Sequence, residues 1–243
     1  MFPTRTTGNP HTDDRSNDSE HSGEHSPGPV PGYWDTFYSG QSVPAAPTEP
    51  SRFAKWVDQN LEHDVAVVEI GCGNGRDASF FAEEGRRVFA VDRSPAAIRL
   101  VTEMAYRQGL QHLQAFALAM EELSNSLKSR DVRSLLGGRE VAVYARFFLH
   151  AIAADAQEMF FDWLRAFLQE GERCFLEYRA ADLSANEYEF GAHYRRPISS
   201  DDLARYCRSA GFELVSSAES CDFAPYRDER PLVGRTVVRK RRG

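Results

Sequence analysis

The sequence lacks several features that would place it in a special class of protein. Its four cysteines are scattered through 243 residues, without the close pairing of a zinc site or the density of a secreted disulfide scaffold. The formal net charge of -7 leaves no general positive surface for nucleic-acid phosphates. We therefore expect a cytoplasmic protein that binds neither nucleic acid nor a structural metal ion.

Long apolar runs are also missing. The most apolar stretch, residues 141–154, includes two polar side chains and is too short to cross a bilayer. No charged-then-apolar leader opens the chain, and we find no internal repeat. Residues 1–32 have almost no large apolar side chain, so burial could not offset the entropy of ordering them. We expect a disordered tail over 1–32 and no membrane segment.

Aromatic residues are concentrated directly after this tail. Four of them stand among the six residues from Tyr33 to Tyr38, and such a cluster must pack on something. Apolar residues at helical spacing follow, from Phe53 to Leu61. We interpret residues 33–62 as an aromatic lid with an N-terminal helix, and Trp34 as the lid residue that contacts a bound ligand. Packing of the cluster against an outer helix is the alternative.

Strand and helix patterns alternate over residues 63–243, which we take as one domain. Strands are predicted at 65–70, 88–91, 113–117, 141–148, 174–178, 212–215 and 235–238. Helices are predicted at 76–84, 95–108, 199–210, and from a capping-box-like start at Asp155 to Gly171. This order predicts an α/β Rossmann-like fold, with a mostly parallel seven-stranded sheet, helices on both faces and a final antiparallel pair.

A glycine-rich loop follows the first strand. The strand ends at Glu69, and Gly71, Gly73 and Gly75 lead into a helix. Glycine lets a ligand approach the bare backbone, and the helix start supplies unpaired N–H groups. The next strand ends at Asp92, where a carboxylate can accept hydrogen bonds from both ribose hydroxyls. The two features together indicate a nucleoside-containing ligand.

The same features occur in nicotinamide-dependent dehydrogenases. Their G-x-G-x-x-G pattern needs a third glycine for close packing of helix and strand. That position here is Arg76, whose long charged side chain contradicts a dinucleotide site. The tighter G-x-G-x-G spacing favours a ligand with one nucleoside and no pyrophosphate.

Residues 67–98, VVEIGCGNGRDASFFAEEGRRVFAVDRSPAAI, resemble the first two motifs of class I S-adenosylmethionine-dependent methyltransferases, in particular the small-molecule branch with thiopurine- and tellurite-type enzymes. Residues 33–38, 50–57, 144–152 and 193–199 are similar to segments of bacterial methyltransferases from capsule or secondary-metabolite gene clusters. The resemblance implies S-adenosylmethionine as cofactor. It also implies that the three loop glycines cradle its methionine portion, that Asp92 binds the ribose, and that Arg93 flanks the adenine.

One departure from that family pattern affects the adenine contact. After the third strand such enzymes often place an aspartate, whereas this chain reads ALAME over residues 117–121. Met120 packing on the ring, or Glu121 replacing the aspartate, are alternatives to a plain helix start.

The methyl acceptor should lie past the fourth and fifth strands, since ligands of open parallel sheets bind at the carboxyl ends. His150 is our candidate for a general base, because an unperturbed imidazole titrates near neutrality. Glu177 is a second candidate for orienting an amine or taking its proton, and Arg146 is expected at the edge of the cofactor. The alternative for His150 is a histidine whose hydrogen bonds are satisfied within a helix start. The alternative for Glu177 is a surface carboxylate at a strand end.

Basic and aromatic residues near the same edge suggest an anionic acceptor. We predict substrate-binding roles for Arg179, His193, Tyr194, Arg195 and Arg196. Arginine suits carboxylate or phosphate, so the hypothesis is a small acidic metabolite or a nucleotide-linked sugar. Pairing of these arginines with nearby glutamates is the alternative.

Three functions remain open from the sequence. The first is methyl transfer to oxygen or nitrogen of a small molecule. The second is a non-catalytic methyltransferase-like regulator or assembly partner, and the third is the disfavoured dehydrogenase.

Overall fold

A computed structural model describes residues 32–40, 48–181, 196–225 and 230–242, with backbone alone for 126–129. The strands are β1 (Ala66–Ile70), β2 (Val88–Asp92), β3 (Leu113–Ala117), β4 (Val141–Arg146), β5 (Arg173–Arg179), β6 (Phe212–Ser220) and β7 (Val233–Lys240). The α-helices are α1 (Tyr33–Ser39), α2 (Arg52–Gln59), α3 (Arg76–Glu83), α4 (Pro95–Gln108), α5 (Met120–Leu123), α6 (Ser126–Leu135), α7 (Ala154–Phe167) and α8 (Ser200–Ser209). A 3₁₀ turn spans Leu149–Ala151.

The seven strands form one sheet in the order β3-β2-β1-β4-β5-β7-β6. The first five strands run parallel, and β7 is antiparallel to both of its neighbours. The predicted fold class is therefore confirmed. Strand β1 pairs with β2 on one side and with β4 on the other, so the strand order changes direction at β1. At such a switch point the carboxyl ends of the two central strands, β1 and β4, border a crevice.

Apolar residues on both faces of the sheet give two cores. Along β1, Val68 and Ile70 pack with the aromatic face of α7, whereas Val67 faces α2 and α3. Phe160 of α7 and Phe81 of α3 are fully buried. Burying a side chain of this size contributes about 1.5–3 kcal/mol, so both helix layers hold the sheet in place.

Most predicted elements are present; four of them have different bounds, and two further helices occur. Helices α5 and α6 were not predicted. The predicted start of α7 was wrong, because Ala153 is its N-cap and Asp155 Oδ1 accepts a hydrogen bond from the N–H of its neighbour Ala156. The fourth strand stops at Arg146, since Phe147 turns into the left-handed region. Strands β6 and β7 are longer than predicted.

The tail prediction lies almost wholly outside the described residues, which begin at Gly32. Within the described part, none of the helices has the length and apolar character needed to cross a bilayer.

Candidate active site

A cavity of about 620 Å³ lies at the carboxyl ends of β1, β2 and β4, with α1 forming part of its wall. One end, which we call the glycine-loop side, is lined by Glu69, residues 71–74, Asp92 and Met120. The other end, the arginine side, is lined by Arg146, Phe147, His150 and Arg179. The cavity thus occupies the crevice that the strand order predicts.

The glycine loop is held by backbone hydrogen bonds to the neighbouring strand. The N–H groups of Gly71 and Cys72 both donate to the carbonyl of Val91, at 2.8 and 3.0 Å. The N–H of Gly73 donates to Asp92 Oδ2 at 3.0 Å. The loop therefore keeps its shape through contacts with β2 and needs no ligand for them.

Asp92 lies at the end of β2 with 9% of its surface exposed. Burial raises the pKa of this carboxyl, and hydrogen bonds from the N–H groups of Ser94 and Gly73 oppose that effect. Each carboxylate oxygen has a further lone pair, so Asp92 can bind hydroxyl groups while it holds the loop.

Two of the loop glycines serve different purposes. A Cβ atom on Gly73, whose φ is +54°, would collide with the hydroxyl of Tyr38 over the cavity. A Cβ on Gly75 would instead meet Val101 of α4 at 2.6 Å. Gly75 is not among the residues that line the cavity, and the contact with α4 gives it a packing role; its predicted contact with the ligand stays a prediction.

The carboxylate of Glu69 and the guanidinium of Arg76 lie near each other at the glycine loop. Glu69 is 3% exposed, and its Oε2 has no hydrogen-bond partner among the described residues. Burial raises the pKa of Glu69, and the nearby Asp77 raises it further. Burial, together with the neighbouring Arg146, lowers the pKa of Arg76. An unsatisfied buried carboxylate oxygen is costly, which indicates that a ligand donor completes the site.

Helix α1 covers the cavity with its aromatic side chains. Trp34 and Tyr38 both line the cavity, with ring centroids 6.1 Å apart and nearly parallel planes. Asp35 joins this helix to the start of α4, because its Oδ1 accepts from Ser94 Oγ at 2.8 Å and from the N–H of Ala96 at 2.9 Å. These bonds lower the pKa of Asp35, that from Ala96 most. The aromatic cluster therefore packs directly over the site.

A buried ion-pair group supports the arginine side. Glu177 is 1% exposed and accepts from Arg146 Nε at 2.7 Å and from Arg235 Nε at 2.8 Å. Burial works to lower the pKa of Arg146, but Glu177, Asp77 and Tyr144 together outweigh it and the pKa is raised. Two guanidinium groups therefore share the carboxylate of Glu177, and Arg146 is attracted by the nearby Asp77 as well. Glu177 does not line the cavity and holds Arg146 in place.

The bend after β4 places two rings in the cavity wall. Phe147 has a φ of +55°, the only positive value at a non-glycine residue in the described chain. For an L-residue this conformation costs roughly 1–2 kcal/mol and is concentrated at functional sites. The ring of Phe147 meets His150 edge-on, with centroids 5.5 Å apart.

His150 is 5% exposed, and its Nδ1 accepts a hydrogen bond from the N–H of Arg179 at 3.2 Å. A backbone N–H can only donate, so Nδ1 of His150 must be unprotonated and the neutral ring carries its proton on Nε2. In this tautomer Nε2 is a hydrogen-bond donor, which does not suit the predicted role of general base.

Comparison with known proteins identifies the family. A family model described as a methyltransferase domain matches residues 45–217, well over half of the chain. The chain belongs to this methyltransferase family. It is 28% identical over 193 residues to a ubiquinone biosynthesis O-methyltransferase of Azoarcus sp. (strain BH72), covering 76% of this chain and 78% of that protein.

Solved structures agree with the fold of the methyltransferase. A 1,6-didemethyltoxoflavin-N1-methyltransferase of Burkholderia thailandensis, with bound 1,6-didemethyltoxoflavin and S-adenosylhomocysteine, matches with a TM-score of 0.60 at 22% identity, over 85% of this chain and 84% of that one. An S-adenosylmethionine-dependent methyltransferase of Anabaena variabilis ATCC 29413 matches with a TM-score of 0.63 at 18% identity, over 86% and 93%. The chain is a class I methyltransferase that uses S-adenosylmethionine, and the dehydrogenase alternative has no support.

The structure brings many of the predicted site residues of the methyltransferase together. The predicted residues that line the cavity are Trp34, Glu69, Gly71, Gly73, Asp92, Arg93, Met120, Arg146, His150 and Arg179. His193, Tyr194 and Arg195 lie outside the described residues. Arg196 is described but does not line the cavity; its side chain donates to Gln157 and its N–H to the carbonyl of His150.

Four residues that line the cavity of the methyltransferase have no individual site role in the sequence analysis. Tyr38 and Asp35 lie in the predicted lid but were given no individual role; like Phe147 and Arg76, both line the cavity. From the sequence, Arg76 only argues against a dinucleotide site. The first-turn position of Asp35 within an aromatic helix was a usable signal, whereas the left-handed bend at Phe147 leaves no local trace in the sequence.

Proposed function

We propose that this methyltransferase transfers the methyl group of S-adenosylmethionine to oxygen or nitrogen of a small anionic metabolite. One observation carries the anionic part of the proposal. Arg146 lines the cavity and belongs to a buried group in which Arg146 and Arg235 share the single carboxylate of Glu177. Of the four residues that define the arginine side, Arg146 and Arg179 are positively charged and none is acidic, which favours a negatively charged ligand at this end of the cavity.

The glycine-loop side has the donors and acceptors that the cofactor needs. The partnerless Oε2 of Glu69 matches the α-ammonium group, and the Arg76 guanidinium matches the α-carboxylate. Asp92 has lone pairs for the ribose hydroxyls, and we assign Met120, which lines the same cavity, to the adenine. Bound there, the cofactor supplies a methyl group whose bond to sulfur breaks as its bond to the acceptor atom forms, leaving S-adenosylhomocysteine.

The arginine side then has to align the acceptor. In-line displacement depends mainly on alignment, so much of the rate can come from holding the acceptor against the sulfonium carbon. His150 contributes as a hydrogen-bond donor through Nε2, because its Nδ1 is engaged by the backbone. An acceptor oxygen that is already ionised has no proton to lose and needs no general base.

The cavity size favours the smaller of the two predicted acceptor types. Ligand pockets commonly measure roughly 300–1,000 Å³, and this one of about 620 Å³ must hold the cofactor as well as the acceptor. A small acidic metabolite meets that condition better than a nucleotide-linked sugar.

The test is a methyl-transfer assay with methyl-labelled S-adenosylmethionine and a library of small metabolites grouped by charge. We expect labelled products from acids, with one S-adenosylhomocysteine formed per product. Arg179→Gln should raise the KM for the acid by about tenfold and leave the KM for S-adenosylmethionine within about twofold. Labelling of neutral compounds alone would contradict the anionic acceptor. An equal rise in the KM for the acid and the KM for S-adenosylmethionine would contradict it as well.

A further inference from the structure

The strained residue Phe147 stands at the centre of the arginine side. Its φ of +55° is a conformation that a bulky side chain adopts only when the surroundings require it. The backbone N–H of Phe147 donates to the carbonyl of Glu177 at 2.7 Å, which fixes the bend to β5. The bend therefore directs an aromatic ring into the cavity wall, at the residue after Arg146.

Two guanidinium groups lie close to this ring. The central guanidinium carbon of Arg146 is 4.1 Å from the centroid of the Phe147 ring, and that of Arg179 is 5.4 Å from it. Both distances are within the range of a cation–π interaction, in which the negative face of the ring attracts the cation. One ring therefore contacts two groups of like charge, and its attraction for each opposes their mutual repulsion.

The burial of both arginines strengthens their attraction to the ring of Phe147. Arg179 is 8% exposed, and Arg146 has 18% of its side chain exposed. Cation–π attraction is stronger for cations that are removed from water, so the ring matters more here than it would on the surface. Glu177 holds Arg146 from the other direction through Oε1.

We propose that Phe147 is a positioning residue: its ring keeps the guanidinium groups of Arg146 and Arg179 together so that they bind the carboxylate or phosphate group of the acceptor. This inference rests on the proposed anionic acceptor and names the residue that determines that specificity. The left-handed backbone is the structural requirement for placing the ring between the end of β4 and the cavity.

The test measures binding to protein saturated with S-adenosylhomocysteine. The probes are small hydroxy- and aminocarboxylates, each paired with its primary amide, and small phosphate esters, each paired with its parent alcohol. Calorimetry should show that the wild-type protein binds anions from the panel at least about tenfold more tightly than their neutral partners. The carboxylate and phosphate arms show which anion is preferred.

Two variants separate the ring from its bulk. Phe147→Leu keeps apolar volume without a π face, and should reduce the preference for anions by about fivefold or more. Phe147→Tyr keeps the ring and should retain the preference within about twofold. Both should bind S-adenosylhomocysteine as the wild type does. Phe147→Gly removes the ring and fits a positive φ without strain, so it replaces the leucine variant if that one does not fold.

The results distinguish this inference from the function it rests on. An unchanged anion preference in Phe147→Leu would overturn the positioning role alone. Equal binding of anions and neutral partners by the wild type, or no binding of any probe, would overturn the anionic acceptor and the positioning role together. In the double variant Phe147→Leu/Arg179→Gln, the loss of anion preference should be smaller than the sum of the losses in the two single variants, because the ring acts through that arginine. A loss equal to the sum would contradict the proposal.

Discussion

The carboxylate of Asp92 accepts a hydrogen bond from the backbone N–H of Gly73, with 3.0 Å between the nitrogen and Oδ2. The other oxygen, Oδ1, accepts from the N–H of Ser94 at 2.9 Å. The side chain that we assign to the ribose therefore also fixes the glycine loop to the start of α4. Changes at the loop and at the end of β2 should act on cofactor binding together.

Gly73→Ala should weaken S-adenosylhomocysteine binding by about tenfold or more. The new Cβ would collide with the hydroxyl of Tyr38, and alanine is disfavoured at a φ of +54° by roughly 1–2 kcal/mol. Calorimetry on the purified variant measures the loss.

Tyr38→Phe provides the matched background for this change, because it removes only the hydroxyl that the new methyl would meet. In that background Gly73→Ala should cost less affinity than in the wild type. An identical cost in both backgrounds would show that Tyr38 is not the obstacle.

Glu69→Gln should stabilise the protein without ligand and weaken its binding of S-adenosylhomocysteine. Burial raises the pKa of Glu69, so the folded state holds its proton to a higher pH than the unfolded state does. Stability therefore falls as pH rises between the two pKa values, and glutamine removes that loss. Thermal unfolding at neutral pH should show a Tm higher by a few degrees, in line with roughly 1 kcal/mol. A lower Tm, or unchanged ligand affinity, would contradict the assignment.

Asp35→Asn should weaken cofactor binding about three- to tenfold by loosening α1 from the start of α4. Because its hydrogen bonds lower the pKa of Asp35, its contribution is complete above the ordinary pKa of 3.8 and is lost as pH falls through the lowered value. The ratio of wild-type to variant affinity should thus stay constant across the neutral range. A ratio that changes with pH there would point to another group.

Glu177→Gln separates a supporting carboxylate from a general base. Loss of the charge leaves two arginines unmatched in a largely buried position, and breaking such a group commonly costs about 3–5 kcal/mol. We expect a clearly lower Tm measured by calorimetry. A stable variant with a reduced rate and an altered pH profile would instead support the general-base role.

Local sequence patterns predicted the glycine-loop side well. Glu69, the loop and Asp92 lie at the ends of two strands whose apolar periodicity and flanking turns are visible over short windows. The loop glycines also show that a motif does not give the role of each of its residues. Gly75 lets the start of α3 pack closely against Val101 of α4. That distinction depends on where α4 packs.

The arginine side and the covering helix could not be predicted in the same way. Asp35 meets Ala96 across 61 positions of sequence, and Glu177 meets Arg235 across 58. The tautomer of His150 depends on a single backbone N–H from β5. Such contacts arise from the strand order, and composition or spacing carries no record of them.

The most direct test of the account is a calorimetric titration of the wild-type protein and Asp92→Ala with S-adenosylhomocysteine, with NAD as a control ligand. We predict one site on the wild type, no binding of NAD, and a Kd about 10- to 100-fold weaker in Asp92→Ala, since hydrogen bonds to a charged group contribute about 1.5–3 kcal/mol. Equal affinity of the two proteins, or no binding to the wild type, would contradict it.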